Sequence, residues 1–111
     1  MDASKFDLIC EGVQKIPGRR GENVTIQIKV DLETNQWCGG TVGYAICNRV
    51  KLIHEITDSD YIFEDERDSR RRDFSRLDRQ TGKLYRSNTV VGFFEGQCQK
   101  VEFSGFPEAK F

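Results

Sequence analysis

What this chain lacks narrows its function before any motif is read. Its longest apolar run is Val90-Val91-Gly92-Phe93-Phe94, far short of the ~20 residues that span a bilayer as a helix, so no membrane-spanning helix is expected. Neither sign of charge dominates: 17 basic and 18 acidic residues leave a net charge of −1. A general nucleic-acid binder needs a basic excess to displace counterions, so no nucleic-acid partner is expected. A single histidine, His54, has no Ser or Cys partner at a recognisable triad spacing, and it reads as structural. Dinucleotide-binding, P-loop, H-E-x-x-H and EF-hand patterns are all missing. No cofactor is expected, and no residue is assigned a catalytic, cofactor-binding or metal-binding role. Met1-Asp2-Ala3-Ser4-Lys5 carries no apolar leader. The chain therefore reads either as cytoplasmic or as a mature form whose leader has been replaced by an initiator methionine.

Four cysteines are present: Cys10, Cys38, Cys47 and Cys98. None forms the close C-x-x-C pair of a structural zinc site. An even number in a chain that is 37% hydrophobic and 32% charged suits two disulfides that support a lean core in an oxidising compartment. Proximity favours Cys38–Cys47, which leaves Cys10–Cys98 to tie the two ends. The alternative is four buried free thiols.

Local patterning points to strands. Val24, Ile26, Ile28, Val30 and Leu32 alternate with polar residues, the signature of a half-buried antiparallel strand. Phe6, Leu8 and Cys10 alternate in the same way. Two hairpins share one design, Asp31-x-x-Thr34-Asn35 and Asp78-x-x-Thr81-Gly82. In each, the Asp accepts backbone N–H groups and the Asn or Gly takes a left-handed conformation. Arg49–Ile56 reads as one strand with Val50, Leu52 and Ile56 inward. Asp58–Arg79 holds eight acids and six bases and reads as two long solvated strands joined near Asp68-Ser69, with a helix over Arg67–Leu77 as the alternative. Lys83–Val91 and Phe93–Phe103 supply the last strands. The expected fold is all-β, an antiparallel meander of about seven or eight strands forming a small barrel or sandwich. It comprises one domain over residues 1–111, with frayed ends at 1–5 and 107–111.

Candidate contacts are few. Arg70-Arg71-Arg72 could grip an anion or an acidic partner, although Glu64, Asp65, Glu66, Asp68 and Asp73 offer self-neutralisation. Gly39-Gly40-Thr41 is expected at the exposed tip of a ring closed by Cys38 and Cys47, with Trp37 as the core anchor at its base. Trp37, Tyr44, Phe93, Phe94, Phe103 and Phe106 are assigned to the core.

Phe6-Asp7-Leu8-Ile9-Cys10, Val30-Asp31-Leu32 with Trp37-Cys38, Asp78-Arg79-Gln80-Thr81-Gly82-Lys83-Leu84 and Gly96-Gln97-Cys98 occur in that order. Together they resemble a group of small exported bacterial β-proteins of the alphaproteobacterial type, to which no activity is attached. The resemblance runs from Phe6 to about Phe106. It implies export to the periplasm and disulfide formation. Three functions remain open. The leading one is an exported binding or structural module with a protein partner. The second is an intracellular or phage-encoded inhibitor or accessory protein of a macromolecular partner. The third is a small hydrolase-type enzyme using carboxylates near Arg70–Arg72. The oligomeric state is left open.

Overall fold

The computed structural model describes residues 4–44, 46–90 and 92–107. Among the described residues, nine strands form one antiparallel sheet: β1 (Lys5–Lys15), β2 (Glu22–Asp31), β3 (Gln36–Thr41), β4 (Lys51–Leu52), β5 (Glu55–Ile56), β6 (Asp60–Glu66), β7 (Asp73–Asp78), β8 (Lys83–Asn88) and β9 (Gly92–Glu102). Their order is β4-β3-β2-β1-β9-β8-β7-β6-β5, and the sheet curls into a half-barrel. The frayed-end expectation for 1–3 and 108–111 lies outside the described residues. Ser4 and Lys5 are tied in: the Ser4 carbonyl accepts the Leu32 amide at 2.7 Å, and Lys5 opens β1.

The two edges of this sheet, β4 and β5, are separated in sequence only by Ile53 and His54. These two amides bond in opposite directions. Ile53 donates to the Asn35 carbonyl beside β3 at 2.9 Å, and His54 donates to the Phe63 carbonyl on β6 at 3.2 Å. One short segment thus passes from one edge to the other, and neither edge offers a long unpaired strand to another chain. This overturns the single strand expected over Arg49–Ile56. Ile53 is the buried residue at 3% exposure, while Leu52 is 69% and Ile56 43% exposed. The break at Ile53-His54 resets which side chains face inward, and a break of this kind leaves no mark in the alternation. His54 is exposed rather than packed.

The hairpin chemistry is as expected. Asp31 Oδ1 accepts the amides of Glu33 and Thr34 at 2.9 and 3.3 Å. Asp78 Oδ1 accepts those of Gln80 and Thr81 at 2.9 and 3.1 Å. Asn35 and Gly82 hold φ of 59° and 75°, the left-handed region that Asn and Gly tolerate best.

Both disulfides form, and no cysteine is free. Cys10 and Cys98 sit directly opposite each other on β1 and β9. Cys38 joins Cys47 across nine positions. Two disulfides in a small β-domain are consistent with an oxidising extracytoplasmic location.

The inward face of β2 carries Ile26, Ile28 and Val30, all buried as the alternation predicts. Opposite them lie Phe6 and Leu8 of β1, with Trp37 beside Val30 on β3. Tyr61 and Phe63 of β6, Leu77 of β7 and Leu84 of β8 complete the core. Its aromatic rings run in a chain: Phe6 to Tyr61 at 6.2 Å, Tyr61 to Phe63 at 6.2 Å and Phe63 to Trp37 at 5.1 Å. Tilted pairs at these distances add to the stabilisation from burial itself.

A second packed element lies on the outer face. Asp7 alternates outward on β1, yet it is 1% exposed because the tail after β9 covers it. Its carboxylate accepts Gln27 Nε2 at 2.9 Å, Ser104 Oγ at 2.5 Å and the Ser104 amide at 3.3 Å. Lys29 Nζ donates to the Gly105 carbonyl at 2.8 Å, and Phe103 meets Phe106 edge-on at 5.4 Å. These contacts fix the tail against the sheet.

Candidate ligand cavity at the open end

The strands carry the core residues near one end of the half-barrel, where the 31–36 and 78–83 hairpins lie. At the opposite end the inward positions turn polar. The change begins at a β-bulge in β6: Ile62 pairs with Arg76 and Glu64 with Ser75, leaving Phe63 as the extra residue. A bulge interrupts the strict alternation of faces. Phe63 and Glu64 are consecutive, and both are buried. Beyond the bulge the inward positions are Glu64, Ser75 and Asp73, with Arg86 opposite Ser75 on β8 and Phe94 opposite Arg86 on β9. The two solvated strands expected over Asp58–Arg79 are present as β6 and β7, but one of their faces lines the interior. No helix forms there.

Phe94 marks the boundary between the two regions. β1 and β9 approach closely at the Gly12–Gly96 pair, where a Cβ on Gly12 would lie 2.1 Å from the Glu95 carbonyl oxygen. A Cβ on Gly96 would lie 2.5 Å from Phe94 Cζ, so the ring occupies the space a side chain would need. Phe94 belongs to the core cluster on one side and lines a cavity on the other.

That cavity has a volume of about 650 Å³, within the range of small-molecule sites. Among the described residues that line it, four are cationic (Arg49, Lys51, Arg71 and Arg86) and two are carboxylates (Glu64 and Asp73). The carboxylates are already engaged. Lys51 Nζ bonds Glu64 Oε1 and lies 5.7 Å from the centre of the Trp37 ring. Arg71 Nε stands 3.6 Å from Asp73 Oδ2. Glu64, Glu66 and Asp73 each bring an oxygen within 4.8 Å of the others, but the cations on Glu64 and Asp73 make this a neutralised acidic cluster rather than a metal centre.

Arg86 differs from its neighbours. It is half-buried, and loss of hydration pulls its guanidinium below the ordinary arginine value. Glu64 and then Asp73 oppose that shift through charge alone, without a hydrogen bond. Arginine nevertheless stays protonated in proteins. Trp37, 3% exposed, also lines the cavity, and its indole Nε1 has no hydrogen-bond acceptor among the described residues. Leaving a buried donor unmet costs about 1–3 kcal/mol.

Three rim segments frame the opening. The segment after β3 exposes Val42 and Tyr44, the latter at 84%. The β6–β7 turn carries Arg70–Arg72, and the β8–β9 turn exposes Val90. The last two turns are fastened together: the Thr89 amide donates to the Arg71 carbonyl at 2.8 Å and Thr89 Oγ1 to the Arg70 carbonyl at 3.1 Å.

The structure brings Gly39, Gly40, Thr41 and Arg71 to one cavity; Arg70 and Arg72 lie on the exposed rim. Two expectations need correction. Gly39-Gly40-Thr41 is no exposed tip, because it pairs with Ile28, Gln27 and Ile26 as part of β3. The exposed residues are Val42, Gly43 and Tyr44. Of the aromatics assigned to the core, Trp37 and Phe94 are buried, whereas Tyr44 and Phe93 are exposed. Sequence reading missed Arg86 and Ser75, and took Glu64 only as a neutralising neighbour of Arg70–Arg72. The charge of Arg86 resembles that of its exposed neighbours, and the bulge that turns Glu64 inward has no local signature.

A larger and more open depression of about 980 Å³ lies beside the β1–β2 turn, lined by Val13, Arg19, Glu22 and Tyr44 among others. Its charged residues are exposed, so it lacks the desolvated cation of the barrel mouth. No protein-family model, curated protein or solved structure matches the chain.

Proposed function

We propose that this chain is an exported binding module, periplasmic or secreted, that engages a protein partner through the open end of its half-barrel. The observation that carries this reading is the divided interior: an apolar core below Phe94 and a charged cavity above it. An interior made only for stability would be filled throughout, since unfilled space and desolvated charge both destabilise. The exposed Val42, Tyr44 and Val90 around the mouth add the apolar contact area that protein interfaces use. Export is supported by the two disulfides and by the resemblance to small exported bacterial β-proteins.

The test places a photo-crosslinking residue at Tyr44 on the open end, or at Thr81 on the opposite hairpin. The oxidised chain is then exposed to the exported proteins of its source organism. The expected result is a discrete adduct from position 44, competed away by unlabelled chain and absent from position 81. No adduct from position 44, or equal adducts from both positions, would overturn the reading.

A further inference from the structure

We propose that the cavity at the open end binds a monoanionic carboxylate carrying a short apolar group, gripped by the Arg86 guanidinium. This rests on the reading of the open end as the binding face and names the ligand chemistry it takes. Three observations carry it. Arg86 is a half-buried cation whose nearby carboxylates act on it only through charge. Those carboxylates are held elsewhere, Glu64 by Lys51 and Asp73 by Arg71, so among the described residues no carboxylate bonds the guanidinium fork, which is left for an outside acceptor. A planar fork of N–H donors matches a carboxylate in two parallel bonds. Finally, Trp37, Ile26 and Phe94 give the cavity an apolar wall.

The apolar wall selects within the class of anions: inorganic phosphate has no apolar part to bury against Trp37, Ile26 and Phe94. The volume of about 650 Å³ exceeds what a bare carboxylate needs, which favours a ligand with an apolar portion. Two sources supply this chemistry, a free short-chain acid and the carboxy terminus of a peptide.

Trp37 is the only tryptophan, so its indole N–H gives one unambiguous resonance. The oxidised, isotope-labelled chain is titrated separately with hexanoate, an N-acetylated tripeptide ending in leucine, the same peptide amidated, and inorganic phosphate. A saturable indole shift is expected with a carboxylate and none with the amide or phosphate. Response to the peptide alone assigns the peptide terminus as source, and response to hexanoate alone assigns the free acid. Arg86→Met abolishes the shift while keeping the rest of the spectrum. Should that variant not fold, Arg86→Lys, which keeps the charge without the fork, binds about tenfold or more weakly. Invariance of the indole resonance with both carboxylates, an equal response to the amide, or unchanged affinity in Arg86→Lys would overturn the proposal. If Tyr44 still yields its adduct in that case, the ligand class alone fails. If it does not, the binding face fails with it.

Discussion

Leu84 and Arg86 lie two residues apart on β8, and both face inward. Leu84 meets Leu77 and Gly96 across its neighbouring strands and is fully buried. Arg86 meets Ser75 and Phe94 and stands half-buried in a cavity. One strand thus serves two environments, divided by the Phe94 ring over Gly96. At the Leu84 end, removing side chains from water stabilises the fold. At the Arg86 end, keeping a desolvated cation costs stability. The charged end is thus costly where the apolar end is stabilising.

Four perturbations break or sharpen this contrast. The largest effect is expected from replacing Cys10 and Cys98 by alanine, since that disulfide closes a separation of 88 residues and chain-entropy estimates give about 4.5 kcal/mol. Urea unfolding would show the loss. Replacing Cys38 and Cys47 by alanine removes a link of only nine positions, for about 2.5 kcal/mol. This loosens the rim near Tyr44, so amide exchange of Val42 and Tyr44 should rise while that of Ile28 and Leu84 stays slow. Asp7→Ala leaves Gln27 and Ser104 without their buried acceptor and should cost about 1–3 kcal/mol. Faster exchange at the Ser104 amide, with the cavity intact, is its signature.

The smallest effect concerns Asp78. Backbone N–H groups of Thr81, then Gln80, hold its carboxyl below the ordinary aspartate range. A carboxyl lowered in the folded state stabilises fully above its unfolded pKa, and loses that contribution as pH falls through the folded value. The Thr81 amide shift should therefore titrate with a midpoint below about 3.9, without disturbing Trp37. A midpoint at or above that value contradicts the assignment.

The strand-rich fold was largely legible from sequence because its cause is local. The alternation from Val24 to Val30 places one face in the core, and Asp31, Asn35, Asp78 and Gly82 define their hairpins through side-chain acceptors and left-handed backbone. The candidate site was legible only in part. Arg71 and Gly39-Gly40-Thr41 were chosen from charge and composition, and they do reach the cavity. Arg86, Glu64 and Trp37 Nε1 depend on register: the Phe63 bulge turns Glu64 inward, and Lys51 takes an inward position that the aliphatics of Arg49–Ile56 were expected to hold. Asp7 was hidden for a related reason, since only the returning tail distinguishes it from an exposed aspartate.

The most direct measurement compares urea unfolding of Leu84→Ala with that of Arg86→Met, two inward-facing changes on one strand. The account predicts that Leu84→Ala loses about 2–5 kcal/mol, while Arg86→Met loses nothing measurable or gains stability, because an apolar chain replaces a desolvated cation. Equal losses from both variants would make Arg86 a structural strut, and would contradict the division of the half-barrel into a stabilising apolar end and a costly charged end.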